Sequence, residues 1–133
     1  MKINLLIKLA NHLLNVVKDG QWFFDSCIRE INSCGTVGCA LGHCTTIFPD
    51  DFKYKIYEDR VLNLCDRNGD NINTRNKLIR YAADFFDISE DDSEYIFIEG
   101  AFRSPTVTRK DVVGRILSVV TNEINRNECI GIG

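Results

Sequence analysis

Residues 33–44 read SCGTVGCALGHC, and this stretch sets the expectation for the fold. It places three glycines, three cysteines and one histidine within twelve residues. Apolar residues recur at helical spacing through it, so we predict a helix over residues 36–47. A glycine inside a helix costs about 1 kcal/mol relative to alanine. The side of the predicted helix that carries Gly35, Gly38 and Gly42 is therefore expected to offset this cost, because another backbone or a ligand can approach it closely.

This predicted helix is expected to lie at the centre of the fold, packed on the N-terminal or C-terminal helix. In this interpretation the motif is structural. Gly38 and Gly42 permit tight packing, and Cys39 fills a gap as a small hydrophobic side chain.

An amphipathic helix is predicted over residues 3–18, because apolar residues recur there at helical spacing. Asn4 is its expected N-cap and Gly20 its expected stop. The predicted buried stripe consists of Leu6, Leu9, Ala10, Leu13, Leu14 and Val17.

Three further helices are predicted in the second half of the chain. Ser89 and Thr108 are each followed three residues later by an aspartate, which is typical of a capping box. Asn73 or Thr74 is the expected start of an earlier helix. The buried stripe predicted for the last helix consists of Val112, Val113, Ile116, Leu117, Val120 and Ile124.

A β-hairpin is predicted between these helical regions. Apolar and polar residues alternate over residues 52–57, and residues 61–64 are the expected partner strand. A helix over residues 57–65 is the alternative. The polar segment 66–71 is expected to be a solvated turn rather than a calcium loop, because Asn71 stands where such a loop needs glycine.

Length and composition predict one domain. The chain has 133 residues, of which 44% are hydrophobic and 26% charged, as in an ordinary globular domain. We expect a mainly α, compact single domain of five to six helices over residues 1–125, with one short β-hairpin as an option. Residues 126–133 are expected to form a flexible C-terminal tail.

Charge and hydropathy exclude two classes of partner. A net charge of −3 argues against extended nucleic-acid binding, which needs a basic face. Polar residues such as Lys8 interrupt every apolar stretch before it reaches membrane-spanning length. We therefore expect a cytoplasmic protein with no membrane partner, in which the six cysteines are free thiols.

The segment CGTVGCALGH, residues 34–43, resembles the CGTxxCxxG(H/W) motif of an uncharacterised family of small phage and bacterial proteins. Residues 86–97 and 108–112 resemble two later helix starts of that family, and Gly38 departs from its usual alanine. The resemblance implies a mostly helical fold, and residence in the host cytosol if the protein is phage-encoded. Because the family carries either Trp or His at position 43, it argues against His43 as an obligatory catalyst.

Zinc binding is one chemical interpretation of the motif. Cys39 and His43 are four residues apart and would share one face of the predicted helix. Cys34 lies just before them, so the three side chains could converge. Zinc accepts such ligands in tetrahedral sites, although the chain has no Cys-x-x-Cys pair. The candidates for a fourth ligand are Cys27, Cys44, His12 and Cys65.

Anion binding is the second interpretation. Gly35 and Thr36, as the start of a helix, would expose free backbone N–H groups to a phosphate or nucleotide. Cys34 would lie beside them, Trp22 would stack on the ligand and Arg103 would neutralise its charge. A Cys34 thiolate beside His43 is the only candidate for nucleophilic catalysis, and the sequence favours a non-enzymatic function.

We therefore expect a protein that binds a host protein and modulates or inhibits a host defence or regulatory system. Sequestration of a nucleotide or small anion at Gly35 and Thr36 is the alternative, and a Cys/His zinc-binding domain is the second alternative. No cofactor is expected apart from that zinc ion.

Overall fold

The computed structural model describes residues 1–18, 22, 30–32, 35–37, 39–56, 62–99 and 107–132. Within these ranges it contains five α-helices and two antiparallel β-hairpins. The mainly α fold is confirmed. The helices are α1 (Ile3–Asn15), α2 (Ala40–Ile47), α3 (Arg75–Phe86), α4 (Glu90–Phe97) and α5 (Arg109–Ile132). The strands are β1 (Glu30–Asn32), β2 (Gly35–Val37), β3 (Lys53–Ile56) and β4 (Leu62–Cys65), paired as β1–β2 and β3–β4.

Helix α1 forms as its apolar periodicity predicts, but it begins one residue before the expected cap. Lys2 is the N-cap residue and makes no side-chain capping bond. The backbone N–H of Lys2 instead donates to the carbonyl of Phe86 over 2.9 Å, and the N-terminal amine pairs with Asp87 at 3.0 Å. The start of α1 is therefore fixed to the end of α3.

An aromatic cluster forms the part of the core between α2, α3 and the β3–β4 hairpin. The ring of Phe85 lies 4.9 Å from Phe48, 5.0 Å from Phe52 and 4.9 Å from Phe86, measured between centroids. These rings are tilted or edge-on to one another, the arrangement that aromatic quadrupoles favour. Phe97 of α4 stacks on Phe86 at 5.7 Å and joins α4 to the same cluster.

The predicted hairpin over residues 52–64 is confirmed as β3–β4, with Tyr54 opposite Leu64. The polar segment that follows is a turn, as predicted. One carboxylate oxygen of Asp66 accepts the backbone N–H groups of Asn68 at 2.9 Å and Asp70 at 3.0 Å. Gly69 takes a φ of +84° inside this turn, which a residue with a side chain adopts only with strain.

Both predicted cap residues, Ser89 and Thr108, accept the backbone N–H of the aspartate three residues later. The Ser89 hydroxyl accepts the Asp92 N–H at 3.1 Å and starts α4. At the start of α5, Thr108 Oγ1 accepts the Asp111 N–H at 3.1 Å, and Asp111 Oδ2 accepts the Thr108 N–H at 2.9 Å. Helix α3 begins after Thr74, one of the two expected starts, without a side-chain capping bond.

The predicted helix over residues 36–47 begins too early. Residues 35–37 form strand β2, and α2 starts only at Ala40, after Cys39 in an extended conformation with ψ −177°. Glycine disfavours a helix here, whereas β-branched Thr36 and Val37 favour a strand. Consequently β1 and β2 form a second hairpin that the sequence did not predict.

The predicted end of α5 is also wrong. The helix continues to Ile132, through the segment expected to be a tail from residue 126. The asparagines and the glycine of this segment each cost a helix about 1 kcal/mol or less relative to alanine, so they do not have to end one.

The predicted core is largely confirmed, with three exceptions. The apolar stripes of α1, α3 and α5 supply most of the buried residues. Leu14, Leu117 and Ile124, which were expected in the core, are instead exposed to solvent.

Replacing Gly114 and replacing Gly69 by alanine are expected to change the free energy of unfolding in opposite directions. Gly114 lies inside α5, and a Cβ atom added to it would meet no heavy atom within 4 Å. We expect Gly114→Ala to raise the free energy of unfolding by about 1 kcal/mol. We expect Gly69→Ala to lower it by about 1 kcal/mol, because its φ is positive. Urea denaturation of both variants measures this, and a destabilised Gly114→Ala would contradict the first expectation.

A pH-dependent contribution is expected from the Thr108–Asp111 capping box. The bonds from Thr108 hold the pKa of the Asp111 carboxyl below its usual value. Because this pKa is lower in the folded state, the ionised carboxyl stabilises the fold. That contribution is complete above the unfolded-state pKa and is lost as the pH falls through the folded-state pKa. We therefore expect Asp111→Asn to destabilise the protein at pH 7, by up to about 1 kcal/mol, and much less near pH 2.5. Thermal unfolding at both pH values, with Asp91→Asn as the control, measures the difference.

Candidate functional site

Residues 39–44 of the glycine–cysteine motif lie at the buried start of α2, whereas residues 35–37 form strand β2. Cys39 is the N-cap residue, and its carbonyl accepts the His43 N–H at 3.0 Å. The His43 side chain is only 2% exposed, and Gly42 and Cys44 are buried beside it. The structural interpretation of Cys39 and Gly42 agrees with this burial, whereas Gly38 lies outside the described residues.

The ring of His43 lies near two other rings. The ring of Trp22 is nearly parallel to it, at an interplanar angle of 8° and a centroid distance of 6.4 Å. The ring of His12, on α1, lies 6.2 Å away. Trp22 Nε1 donates to the carbonyl of Val107 at 2.9 Å. Trp22, expected to stack on a ligand, thus stacks on His43 and connects α2 to the residues preceding α5.

The ionisable groups around this cluster favour their neutral forms. Burial lowers the pKa of His12, so protonating its imidazole is disfavoured. Burial, and secondarily the neighbouring Cys39, raise the pKa of the Cys44 thiol well above its usual value. A protonated, buried thiol is a poor nucleophile and a poor metal ligand. Changes of pKa in these directions are typical of side chains buried in a packed protein interior.

The predicted zinc ligands are only partly brought together. Cys39 and His43 lie on the same turn of chain, but Cys34 lies outside the described residues. Of the fourth-ligand candidates, His12 is close to His43, whereas Cys65 lies at the end of β4. Across the described ranges, no group of three or more His, Cys, Asp or Glu side chains is arranged to hold a metal ion.

The premise of the anion site is contradicted. Gly35 and Thr36 lie in strand β2 and do not open a helix, so they offer no helix N-terminus to a phosphate. Cys34 and Arg103, expected on either side of the ligand, lie outside the described residues.

Two depressions on the described surface are open rather than enclosed. One of about 290 Å³ lies between the turn at residues 66–71 and α3, and residues 1–5 line another of about 510 Å³. The first carries charges of both signs, from Asp66 and Asp84 to Lys77 and Arg80. Small-molecule sites are usually enclosed and mostly apolar, so neither depression has the features of one.

The described surface carries large exposed aliphatic side chains on α1 and α5. On α1, Ile7 is 41% and Leu14 48% exposed. On α5, Leu117 is 46% and Ile124 43% exposed. Residues seven apart lie on the same side of a helix, so each pair forms a stripe.

The helix contacts show where the α1 stripe lies. Arg109, at the start of α5, donates to the carbonyls of Leu13, at 3.0 Å, and Val17, so the two helices run antiparallel. His12 marks the flank of α1 that faces α2. At about 100° per residue, Ile7 and Leu14 lie on the opposite flank, beside α5.

The stripe on α5 lies on the side of that helix that borders α1. Arg115 donates to the carbonyls of Glu99 at 2.9 Å and Tyr95 at 3.3 Å, which marks the flank of α5 that faces α4. Leu117 and Ile124 lie on the other flank, beside α1. We call the surface formed by Ile7, Leu14, Leu117 and Ile124 the α1–α5 seam.

The chain matches no protein-family model, no curated protein and no solved structure. Among its described helices, none combines the length and apolar character needed to cross a membrane.

The position of His12 makes stability depend on pH. Its pKa is lowered in the folded state, so the unfolded chain binds more protons and stability falls as pH drops below about 6.5. We expect His12→Gln to lose less stability than the wild-type protein between pH 7 and pH 5. Urea denaturation across this range measures the difference, and equal losses in the two proteins would contradict it.

Proposed function

We propose that this protein acts by binding another protein through the α1–α5 seam. The observation that carries the proposal is the exposure of four large aliphatic side chains on two adjacent helices, each more than 40% accessible. Contiguous exposed apolar surface is typical of protein-interaction sites.

The residues between these side chains support the same proposal. Asn11 lies between Ile7 and Leu14 on α1, and Thr121 lies between Leu117 and Ile124 on α5. Both are uncharged, and the central part of a protein interface is characteristically depleted of charged residues. The seam thus combines apolar contact area with groups that cost little to desolvate.

We further propose that the partner is a bacterial host protein, with modulation of a defence or regulatory process as the effect. The resemblance of residues 34–43 to a phage and bacterial motif supports this choice. A cytosolic location belongs to the same proposal.

The two alternatives have less support. The hypothesis of nucleotide sequestration required Gly35 and Thr36 to begin a helix, but both residues lie in β2. Zinc binding relied on Cys34, Cys39 and His43, of which the last two are buried in the packed start of α2.

A photo-crosslinking amino acid tests the proposal by position. We expect benzoylphenylalanine in place of Leu117 to crosslink one bacterial protein in stoichiometric yield. The same amino acid in place of Tyr54, on β3, is the matched control, because Tyr54 is 44% exposed and Leu117 46%. It is expected to give no such product. Mass spectrometry of the purified adduct identifies the partner, and equal crosslinking from both positions would contradict the seam as the binding face.

A further inference from the structure

We infer that Asn68 is a site of spontaneous deamidation, in which the backbone nitrogen of Gly69 attacks the side-chain amide and converts Asn68 to isoaspartate or aspartate. The inference is independent of the proposed function. It concerns the turn at residues 66–71, which contains no residue of the α1–α5 seam.

The residue after Asn68 favours this reaction. Asn68 is the only asparagine of the chain that is followed by glycine. The attacking nitrogen belongs to the residue after the asparagine, so a side chain on that residue obstructs the attack and a glycine does not. The neighbouring Asn71 and Asn73 precede Ile72 and Thr74, whose β-branched side chains crowd the backbone. The chemistry therefore favours position 68 over these two positions.

The surroundings of Asn68 leave the reacting groups open to solvent. The Asn68 side chain is exposed, and Gly69 takes a φ of +84°. Among the described atoms outside its chain neighbours, only Cε and Nζ of Lys55 lie within 4 Å of the place where a Gly69 Cβ would stand, each at 3.6 Å. These atoms are the end of a flexible side chain. Water and hydroxide can therefore reach this backbone without displacing a packed core residue.

The hydrogen bonds of the turn oppose the attack and make it slow. The Gly69 N–H donates to the carbonyl of Asp66 at 3.0 Å, and the Asp66 carboxylate accepts the Asn68 N–H at 2.9 Å. The Gly69 nitrogen has to leave its bond before it attacks, so the turn must open locally. Each residue of the turn is exposed or half-buried. Openings of such segments cost much less free energy than global unfolding.

The reaction consumes only water. A solvent base removes the proton from the Gly69 nitrogen, which attacks Cγ of Asn68. The new N–Cγ bond closes a cyclic succinimide, while the Cγ–Nδ2 bond breaks and Nδ2 leaves as ammonia after taking a proton from water. A water molecule then opens the ring. Cleavage of the bond between the nitrogen and the backbone carbonyl carbon of residue 68 gives isoaspartate, and cleavage of the bond to Cγ gives aspartate.

The products differ in their effect on the turn. Either one adds a negative charge beside Asp66 and Asp70. Isoaspartate also lengthens the main chain by one methylene group, which disturbs the spacing at which Asp66 Oδ1 accepts the N–H groups of residues 68 and 70. The Arg67 N–H, in the same turn, donates to the hydroxyl of Tyr81 on α3 at 3.1 Å. We therefore expect isoaspartate to weaken the attachment of this turn to α3.

Incubation of the full-length protein at 37 °C tests the inference. Peptides prepared at acidic pH and analysed by electron-transfer dissociation mass spectrometry distinguish asparagine, aspartate and isoaspartate at each position. At pH 8 we expect Asn68 to be converted at least tenfold faster than Asn73, the internal control, which is also exposed. Isoaspartate is expected among the products. The rate should rise from pH 6 to pH 8, because the Gly69 nitrogen must lose its proton before it attacks.

Two alanine variants test the attacking group. We expect Gly69→Ala to slow the conversion at least fivefold, since a Cβ obstructs the nitrogen. The same change is expected to destabilise the turn, so slower conversion would reflect a blocked attack and not a more rigid turn. Gly114→Ala, the same substitution in α5, is the matched control and should leave the rate unchanged. Incubated protein that contains isoaspartate should unfold at a lower temperature than Asn68→Asp, which carries the charge without the added methylene.

Four results would overturn the inference. The first is equal conversion of Asn68 and Asn73, and the second is a rate that Gly69→Ala leaves intact. The third is aspartate without isoaspartate, because direct hydrolysis of the side-chain amide bypasses the ring. The fourth is conversion in the urea-unfolded chain but not in the folded protein, since the turn would then protect Asn68.

Discussion

The hydrogen bonds from Arg109 to the end of α1 are the contact on which the arrangement of the protein depends. The last carbonyls of a helix have no partner within it and carry partial negative charge. From the first residue of α5, the Arg109 guanidinium donates to one such carbonyl, that of Leu13, and to the carbonyl of Val17 just beyond the helix. The start of α5 is thereby held at the end of α1, and the two helices run antiparallel. Which side chains become core and which border the seam follows from this pairing.

The start of α2 supports the same pairing from the opposite flank of α1. The ring of His43 lies near the rings of His12 and Trp22, and Trp22 bonds to the carbonyl of Val107, two residues before α5. Burial lowers the pKa of His12, so packing against α2 favours a neutral imidazole at position 12. Among the described residues, the start of α2 thus lies against α1 through His12 and is connected to the segment before α5 through Trp22.

What the sequence predicted well is what short-range physics determines. The caps at Ser89 and Thr108 each need only residues within one turn, and both helices start there. The start of α2 was misplaced because the apolar spacing over residues 36–47 was given more weight than the poor helix propensity of glycine, threonine and valine, which instead pair with β1 immediately upstream. The stacking of Trp22 on His43 has no local signal. Periodicity identified one apolar stripe on α1 and one on α5, but it did not show how much of each stripe a neighbouring helix covers. Leu14, Leu117 and Ile124 were therefore assigned to the core, although they belong to the seam.

The seam combines two features that weaken an isolated domain. Apolar side chains that remain in water give up the free energy that burial would provide, and Gly114 lowers the stability of α5 without any contact in the described chain that explains it. Natural proteins retain such local costs mainly where function requires them. The two features also lie on the same ridge of α5, three residues apart. An exposed leucine three residues from a glycine with open space at its Cβ position agrees with the proposal that this side of α5 binds another protein.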